Sequence, residues 1–176
     1  MEPTECPIGT YNPQEFGESL ADCLPCKGGY WCYEAGIGSL TGSKYKCTLG
    51  HYCPKGDKIT PIPCIAGSFI DGAKSSGGGD SFQGAYGSGG AADSIKDCSL
   101  CPEHYYCPKG TDNRYAYICP DGFICPAGQG EPIKCPPGFY CQTKGTSVEK
   151  KICPQGYYCP IMTIIPNKCG AGAVCV

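Results

Sequence analysis

Large apolar side chains are scarce in this chain: 176 residues hold two Met, one Trp and five Phe. A sequence so poor in them buries no continuous aliphatic core, and cross-links must supply what burial does not. Histidine is almost missing too. His51 and His104 are the two present, both inside a repeated unit at turn positions that elsewhere hold Gly or an aromatic residue. They form no Ser-His-Asp or Cys-His arrangement, so no catalytic residues and no enzyme are expected. There is no D-x-D-x-D-G run for calcium and no Asn-x-Ser/Thr sequon. Net charge is −2 with the charges scattered, which offers no basic face to nucleic acid or lipid. The longest apolar run, residues 161–165, is far too short to span a bilayer. Met1 is followed by Glu2 and Pro3 rather than by an apolar leader, so a mature chain or a piece of a longer one is expected.

What the chain has instead is cysteine (18), glycine (27) and proline (17). That is the composition of a disulfide scaffold, and lasting disulfides belong to secreted or cell-surface proteins. Fourteen of the cysteines fall in seven copies of Cys-x5-Cys, starting at Cys26, Cys47, Cys101, Cys119, Cys135, Cys153 and Cys169. The best copies read C-P-P-G-F-Y-C, C-P-Q-G-Y-Y-C and C-P-D-G-F-I-C. Six of the seven hold Gly at the third intervening position; the Cys101 copy holds His104. Segments from Cys6 and Cys64 are the same unit without its second cysteine. Pro followed two positions later by Gly favours a tight turn with Gly at positive φ. The aromatic pair after it favours a short strand. The expected fold is a small disulfide-rich repeat array of short β-strands and turns, mostly irregular, with little or no helix.

The unit starts are spaced 20, 21, 17, 37, 18, 16, 18 and 16 residues apart. This alternation divides the chain into a two-cysteine prelude with a four-cysteine module (1–63), a second prelude (64–100), two four-cysteine repeats (101–134 and 135–168) and a half repeat (169–176). The second prelude carries a Gly/Ser-rich insertion, about 72–93, in which Phe82 and Tyr86 are candidate anchors against another subunit. Candidate O-glycan acceptors are Ser75, Ser76, Ser81, Ser88, Thr143 and Thr146. Zinc is disfavoured, because only Cys23/Cys26 and Cys98/Cys101 have Cys-x2-Cys spacing, and a tetrahedral site needs four ligands. Neither metal nor cofactor is expected.

The run C-P-x-G-Y-Y-C-P-x-G, with Cys-x2-Cys ahead of a C-P-x-G unit, resembles the ephrin-receptor-like cysteine-rich repeats. These are abundant in protist surface proteins and distantly similar to tumour-necrosis-factor-receptor repeats. Algal flagellar-hair (mastigoneme) proteins look like chains of such modules. The resemblance implies first-to-third and second-to-fourth pairing within each module: Cys26–Cys47, Cys32–Cys53, Cys101–Cys119, Cys107–Cys125, Cys135–Cys153 and Cys141–Cys159. The preludes would close as Cys6–Cys23 and Cys64–Cys98, and the half repeat as Cys169–Cys175, unless these two cysteines reach a different chain. Local closure of every Cys-x5-Cys is the alternative. The function expected is a non-enzymatic structural repeat protein of a fibre or surface appendage, whose partners are other copies of itself. A ligand-binding receptor-type ectodomain is the alternative.

Overall fold

A computed structural model describes residues 4–14, 17–41, 43–56, 60–71, 92–144 and 147–170. Among the described residues twelve strands form six two-stranded sheets. Five of the pairs have strands of two residues: β1 (Thr10–Tyr11) with β2 (Leu24–Pro25), β3 (His51–Tyr52) with β4 (Ile62–Pro63), β5 (Ser68–Phe69) with β6 (Ser99–Leu100), β7 (Phe123–Ile124) with β8 (Ile133–Lys134), and β11 (Tyr157–Tyr158) with β12 (Asn167–Lys168). The sixth joins β9 (Phe139–Lys144) to β10 (Ser147–Ile152) over six residues each. Two 3-10 turns, Leu20–Asp22 and Ile95–Asp97, are the helical elements among the described residues. The protein is a small disulfide-rich array of strands and turns.

One turn is used throughout. In the Cys6 unit the Thr10 N–H donates to the Pro7 carbonyl, and the same bond recurs from Tyr30 to Lys27, Tyr105 to Pro102, Phe139 to Pro136 and Tyr157 to Pro154. The third residue of each turn has positive φ, the signature of a type II turn. In six of the units the two residues after the turn's third residue pair with the two just before the next unit's first cysteine. In the Cys26 and Cys101 units one bridge forms instead, Tyr30 with Lys46 and Tyr105 with Ile118. In each case the next cysteine's N–H donates to the carbonyl of the turn's third residue.

The chain forms two compact units: Met1–Ile65 with Phe69–Ser99 and Lys109–Asn113, and Ala66–Ser68 with Leu100–Pro108 and Arg114–Val176. In the first, Cys26, Cys47 and Cys64 donate to Gly9, Gly29 and Gly50 at 2.8–2.9 Å. Gly9 and Gly29 donate in turn to the carbonyls of Cys32 and Cys53, and Gly50 to that of Ile70. In the second, Cys101, Cys119, Cys135, Cys153 and Cys169 donate to Gly67, His104, Gly122, Gly138 and Gly156. Gly67, His104, Gly122 and Gly138 donate onward to Cys107, Cys125, Cys141 and Cys159. Each turn is thus bonded to its successor by the same two main-chain bonds, which satisfies backbone groups that this chain has little regular sheet to satisfy.

Close approach adds a second demand on the glycines. A Cβ on Gly50 (φ +73°) would lie 2.2 Å from the Gly110 carbonyl oxygen, and one on Gly67 (φ +87°) 2.2 Å from that of Gly128. No side chain fits at either place.

The cysteines make up most of the interior. Among the described residues the largest fully buried side chains are Ile70 and eight cysteines. Every Cys-x5-Cys with both cysteines described closes on itself: Cys26–Cys32, Cys47–Cys53, Cys101–Cys107, Cys119–Cys125, Cys135–Cys141 and Cys153–Cys159. This corrects the pairing implied by the resemblance, namely Cys26–Cys47, Cys32–Cys53, Cys101–Cys119, Cys107–Cys125, Cys135–Cys153 and Cys141–Cys159. The turn itself is the reason. It brings its own first and seventh residues to Cα separations of 5.8–6.0 Å, inside the range a bridge requires. A ring this short also loses less entropy on closing than a loop of about twenty residues.

Where the second cysteine is missing, Cys6 bonds Cys23 and Cys64 bonds Cys98. Ile70, at the second-cysteine position of the Cys64 unit, is buried instead against Cys64 and Ala92. Both partner cysteines directly follow a 3-10 turn. Asp22 Oδ2 accepts the N–H groups of Glu18 and Ser19 at 2.9 and 3.0 Å, and Asp97 Oδ2 those of Asp93 and Ser94 at 2.8 and 2.9 Å. The Ser-x-x-Asp spacing of a capping box therefore sets the direction in which each cysteine leaves the turn. Cys175, and with it the Cys169–Cys175 pair, lies outside the described residues.

Candidate functional site

Departures from the repeat are the places to look for function, because everything else recurs as filling. Three occur at turn and loop residues of the second unit: Met162, at φ +63° in the loop after Cys159, and two that meet. The first of those two is His104, which holds φ +72° where the other turns have Gly. The second is the segment after Cys141. The Cys53, Cys107 and Cys125 rings are followed by Pro-x-Gly, whereas Gln142-Thr143-Lys144 extends β9 into the long hairpin.

The two departures have one physical cause. The Gly67 turn lies against Gly128, and a Cβ on Gly122 would lie 2.9 Å from the Met162 carbonyl oxygen. In both cases the neighbour is the third residue after a ring two units further on. For His104 the corresponding residue is Lys144, which β9 has taken into the hairpin, so a side chain is accommodated at this turn. The imidazole Nδ1 accepts the Val148 N–H at 3.2 Å, which places the ring beside β10. On the hairpin's other edge, Asp121 Oδ1 accepts the Thr143 N–H at 3.1 Å. Val148 and Thr143 face each other in the register, so both edges of the hairpin are fastened at one level by side chains.

Between the hairpin and the turns lies an open groove of about 290 Å³. Its apolar lining is Ile124, Cys125, Pro126 and Val148, and its polar lining Glu103, His104 and Lys150. Lys150 Nζ lies 4.7 Å from the centre of the Phe139 ring, over the face of its own sheet. The groove contains a carboxylate, an ammonium and an imidazole, but the imidazole Nδ1 is committed to a main-chain N–H.

His51 lies in β3, and its Nδ1 lies 2.9 Å from the Leu49 carbonyl oxygen, a bond in which the ring donates. The candidate glycan acceptor Thr143 is corrected: its Oγ1 is buried without a hydrogen-bond partner, so the folded chain does not present that hydroxyl. Ser75, Ser76, Ser81, Ser88 and Thr146 lie outside the described residues, as do the assembly anchors Phe82 and Tyr86. Among the described residues no group of three or more His, Cys, Asp or Glu is placed to hold a metal ion.

A further polar cluster lies in the first unit. Glu34 accepts from Lys44 Nζ at 2.6 Å and from the Tyr45 hydroxyl. Those two bonds, Lys44's first, hold the Glu34 carboxyl below its ordinary range, while the bond to Glu34 and then the one to Tyr45 push the Lys44 ammonium up. Tyr45 continues into a ring cluster with Tyr33 and Trp31, at centroid distances of 5.9 and 4.9 Å. The positions of Trp31 and Tyr45 are held in the Cys101 unit by Tyr106 and Tyr117, whose rings lie 5.3 Å apart.

The disulfide set is that of a protein of an oxidising, extracellular or secretory compartment. No helix among the described residues is long and apolar enough to cross a membrane. No protein-family model matches the chain, and no curated protein matches it.

Proposed function

We propose that this is a non-enzymatic, extracellular structural repeat protein, a subunit or segment of a fibre or surface appendage. One observation carries the reading: each turn bonds to the next through the same main-chain groups, with its own ring closed locally. Such a unit needs no particular side chain from its neighbour. It propagates wherever another C-P-x-G turn follows, whether in the same chain or in a second copy. The resemblance to ephrin-receptor-like and mastigoneme-type repeats agrees with this, as does the compartment its disulfides require. The experiment is sedimentation and negative-stain microscopy of the oxidised chain over a concentration series. Fibres or regular oligomers that dissolve on reduction are expected; a monomer at every concentration refutes the reading.

A second reading, a receptor-type ectodomain that binds a protein ligand, is favoured by the groove at His104 and the hairpin beside it. A ligand that saturates on the monomeric chain would support it.

A further inference from the structure

Although the chain's charges are scattered overall, two segments carry one sign alone. Residues 1–26 hold five Glu or Asp and no Lys or Arg, whereas residues 150–176 hold three Lys and no Asp or Glu. Each segment also exposes aliphatic side chains. In the first these are Ile8, Leu20 and Leu24. The Cys6–Cys23 bridge, with Cα atoms 5.6 Å apart, ties the stretch holding Glu5 and Ile8 to the one holding Leu20, Asp22 and Leu24. Glu5 and Glu18 are exposed and make no ion pair among the described residues, while Asp22 is taken up in capping the 3-10 turn.

The second segment departs from the repeat. After the Cys53, Cys107 and Cys125 rings the loops open Pro-Lys-Gly-Asp, Pro-Lys-Gly-Thr and Pro-Ala-Gly-Gln; after Cys159 the chain reads Pro-Ile-Met-Thr-Ile-Ile-Pro. Ile161, Met162, Ile164 and Ile165 are all exposed, Ile165 at 70%. The strands carrying this loop, β11 and β12, expose Tyr157, Tyr158 and Lys168. The middle of the loop is fastened inward. Met162 N–H donates to the Cys135 carbonyl, and the buried Thr163 donates to Pro160 through both its N–H and its hydroxyl and accepts the Cys141 N–H. A contiguous aliphatic patch on a loop already ordered by folding is the mark of a contact surface, because binding need not order it again. Of the lysines, Lys151 is paired with Glu149 at 2.7 Å and Lys150 shares its groove with Glu103. Lys168 is exposed and makes no ion pair among the described residues.

We propose that the loop 161–165, with Lys168, binds the acidic patch at Glu5, Glu18 and Leu20 of a second copy of this chain. Aliphatic side chains meet at the centre of the contact, and Lys168 faces the two carboxylates at its rim. Like charge opposes the other pairings, loop to loop and patch to patch. The contact joins unlike surfaces, so every copy has one of each to offer and the contact repeats from copy to copy. Main-chain bonds alone do not choose a partner; these side chains do. The inference rests on the fibre reading and names the surfaces that carry it.

The test is sedimentation velocity of the oxidised full chain over a concentration series. Lys168→Glu, Ile165→Ser and the double variant Glu5→Lys/Glu18→Lys change exposed side chains, so all three should fold like the parent. Each should raise the concentration needed for assembly by about tenfold or more. An equimolar mixture of Lys168→Glu with Glu5→Lys/Glu18→Lys should assemble where neither does alone, because alternating copies then oppose unlike charges at every contact. A parent that assembles while Lys168→Glu and Ile165→Ser assemble equally well overturns this interface and leaves the fibre reading standing. So does a mixture that stays dispersed. A parent that is monomeric at every concentration refutes both.

Discussion

Gly50→Ala and Gly138→Ala ask the same backbone to carry the same methyl group in two surroundings. Both glycines occupy the third position of the turn, at φ +73° and +81°. An L-residue in that region costs about 1–2 kcal/mol, from which the reduced freedom of the unfolded chain returns about 0.4–1 kcal/mol. The net loss from conformation alone is therefore about 1 kcal/mol at either site. At Gly138 nothing described lies within 4 Å of the added Cβ, so that figure should stand alone. At Gly50 the Cβ would be 2.2 Å from the Gly110 oxygen, well inside the 3.4 Å at which ordinary contact begins, and 2.8 Å from the carbonyl carbon. The obstacle is backbone, so the two turns must move apart, at the further cost of about 1–3 kcal/mol typical of overpacking. Gly50→Ala should thus lose about 2–4 kcal/mol and Gly138→Ala about 1 kcal/mol. Guanidinium unfolding of the oxidised proteins measures both, read as midpoint shifts at constant slope. Equal losses, within about 0.5 kcal/mol, would refute close turn-to-turn packing as the reason for glycine.

Replacing Cys135 and Cys141 together by Ala should leave no free thiol in the denatured, unreduced protein, whereas the interlocked pairing would release Cys153 and Cys159 to an alkylating reagent. The same variant should lose about 2 kcal/mol of chain-entropy stabilisation, the value for so short a ring, before any cavity cost. Thr143→Val removes a buried hydroxyl without a partner and should leave stability unchanged or raise it by about 1 kcal/mol in the same unfolding assay. The Glu34 carboxyl, followed by carbon-13 NMR, should titrate below the ordinary value of about 4.3 and move back toward it in Lys44→Met. Because its folded-state value is depressed, whatever stability this cluster gives is present above the ordinary carboxylate range and lost as pH falls through the lowered value.

The turn was legible because its cause is local. Pro, then Gly two residues later, then a strand-favouring pair sets both the positive φ and the ladder to the next cysteine, and nothing distant competes. The disulfides were less so. A sequence of near-identical units is silent on whether a cysteine prefers its own ring or its neighbour's, and the resemblance favoured the neighbour. The decisive quantity is the distance across a folded turn. The two 3-10 turns carried a readable signal, Ser19-x-x-Asp22 and Ser94-x-x-Asp97, each directly ahead of a prelude cysteine. The groove was the least accessible. His104 reads in sequence as a substitution at a turn position, which it is. Its neighbour, the hairpin, is marked by the missing proline after Cys141 and by the strand-favouring residues that follow. Only the stacking of a turn on the loop two units ahead connects the two, so that losing a loop at Lys144 makes room for an imidazole at His104. In an array held together by main-chain bonds, a change in one repeat is felt at a fixed offset along the chain, and that offset is where a function is most easily added without disturbing the rest.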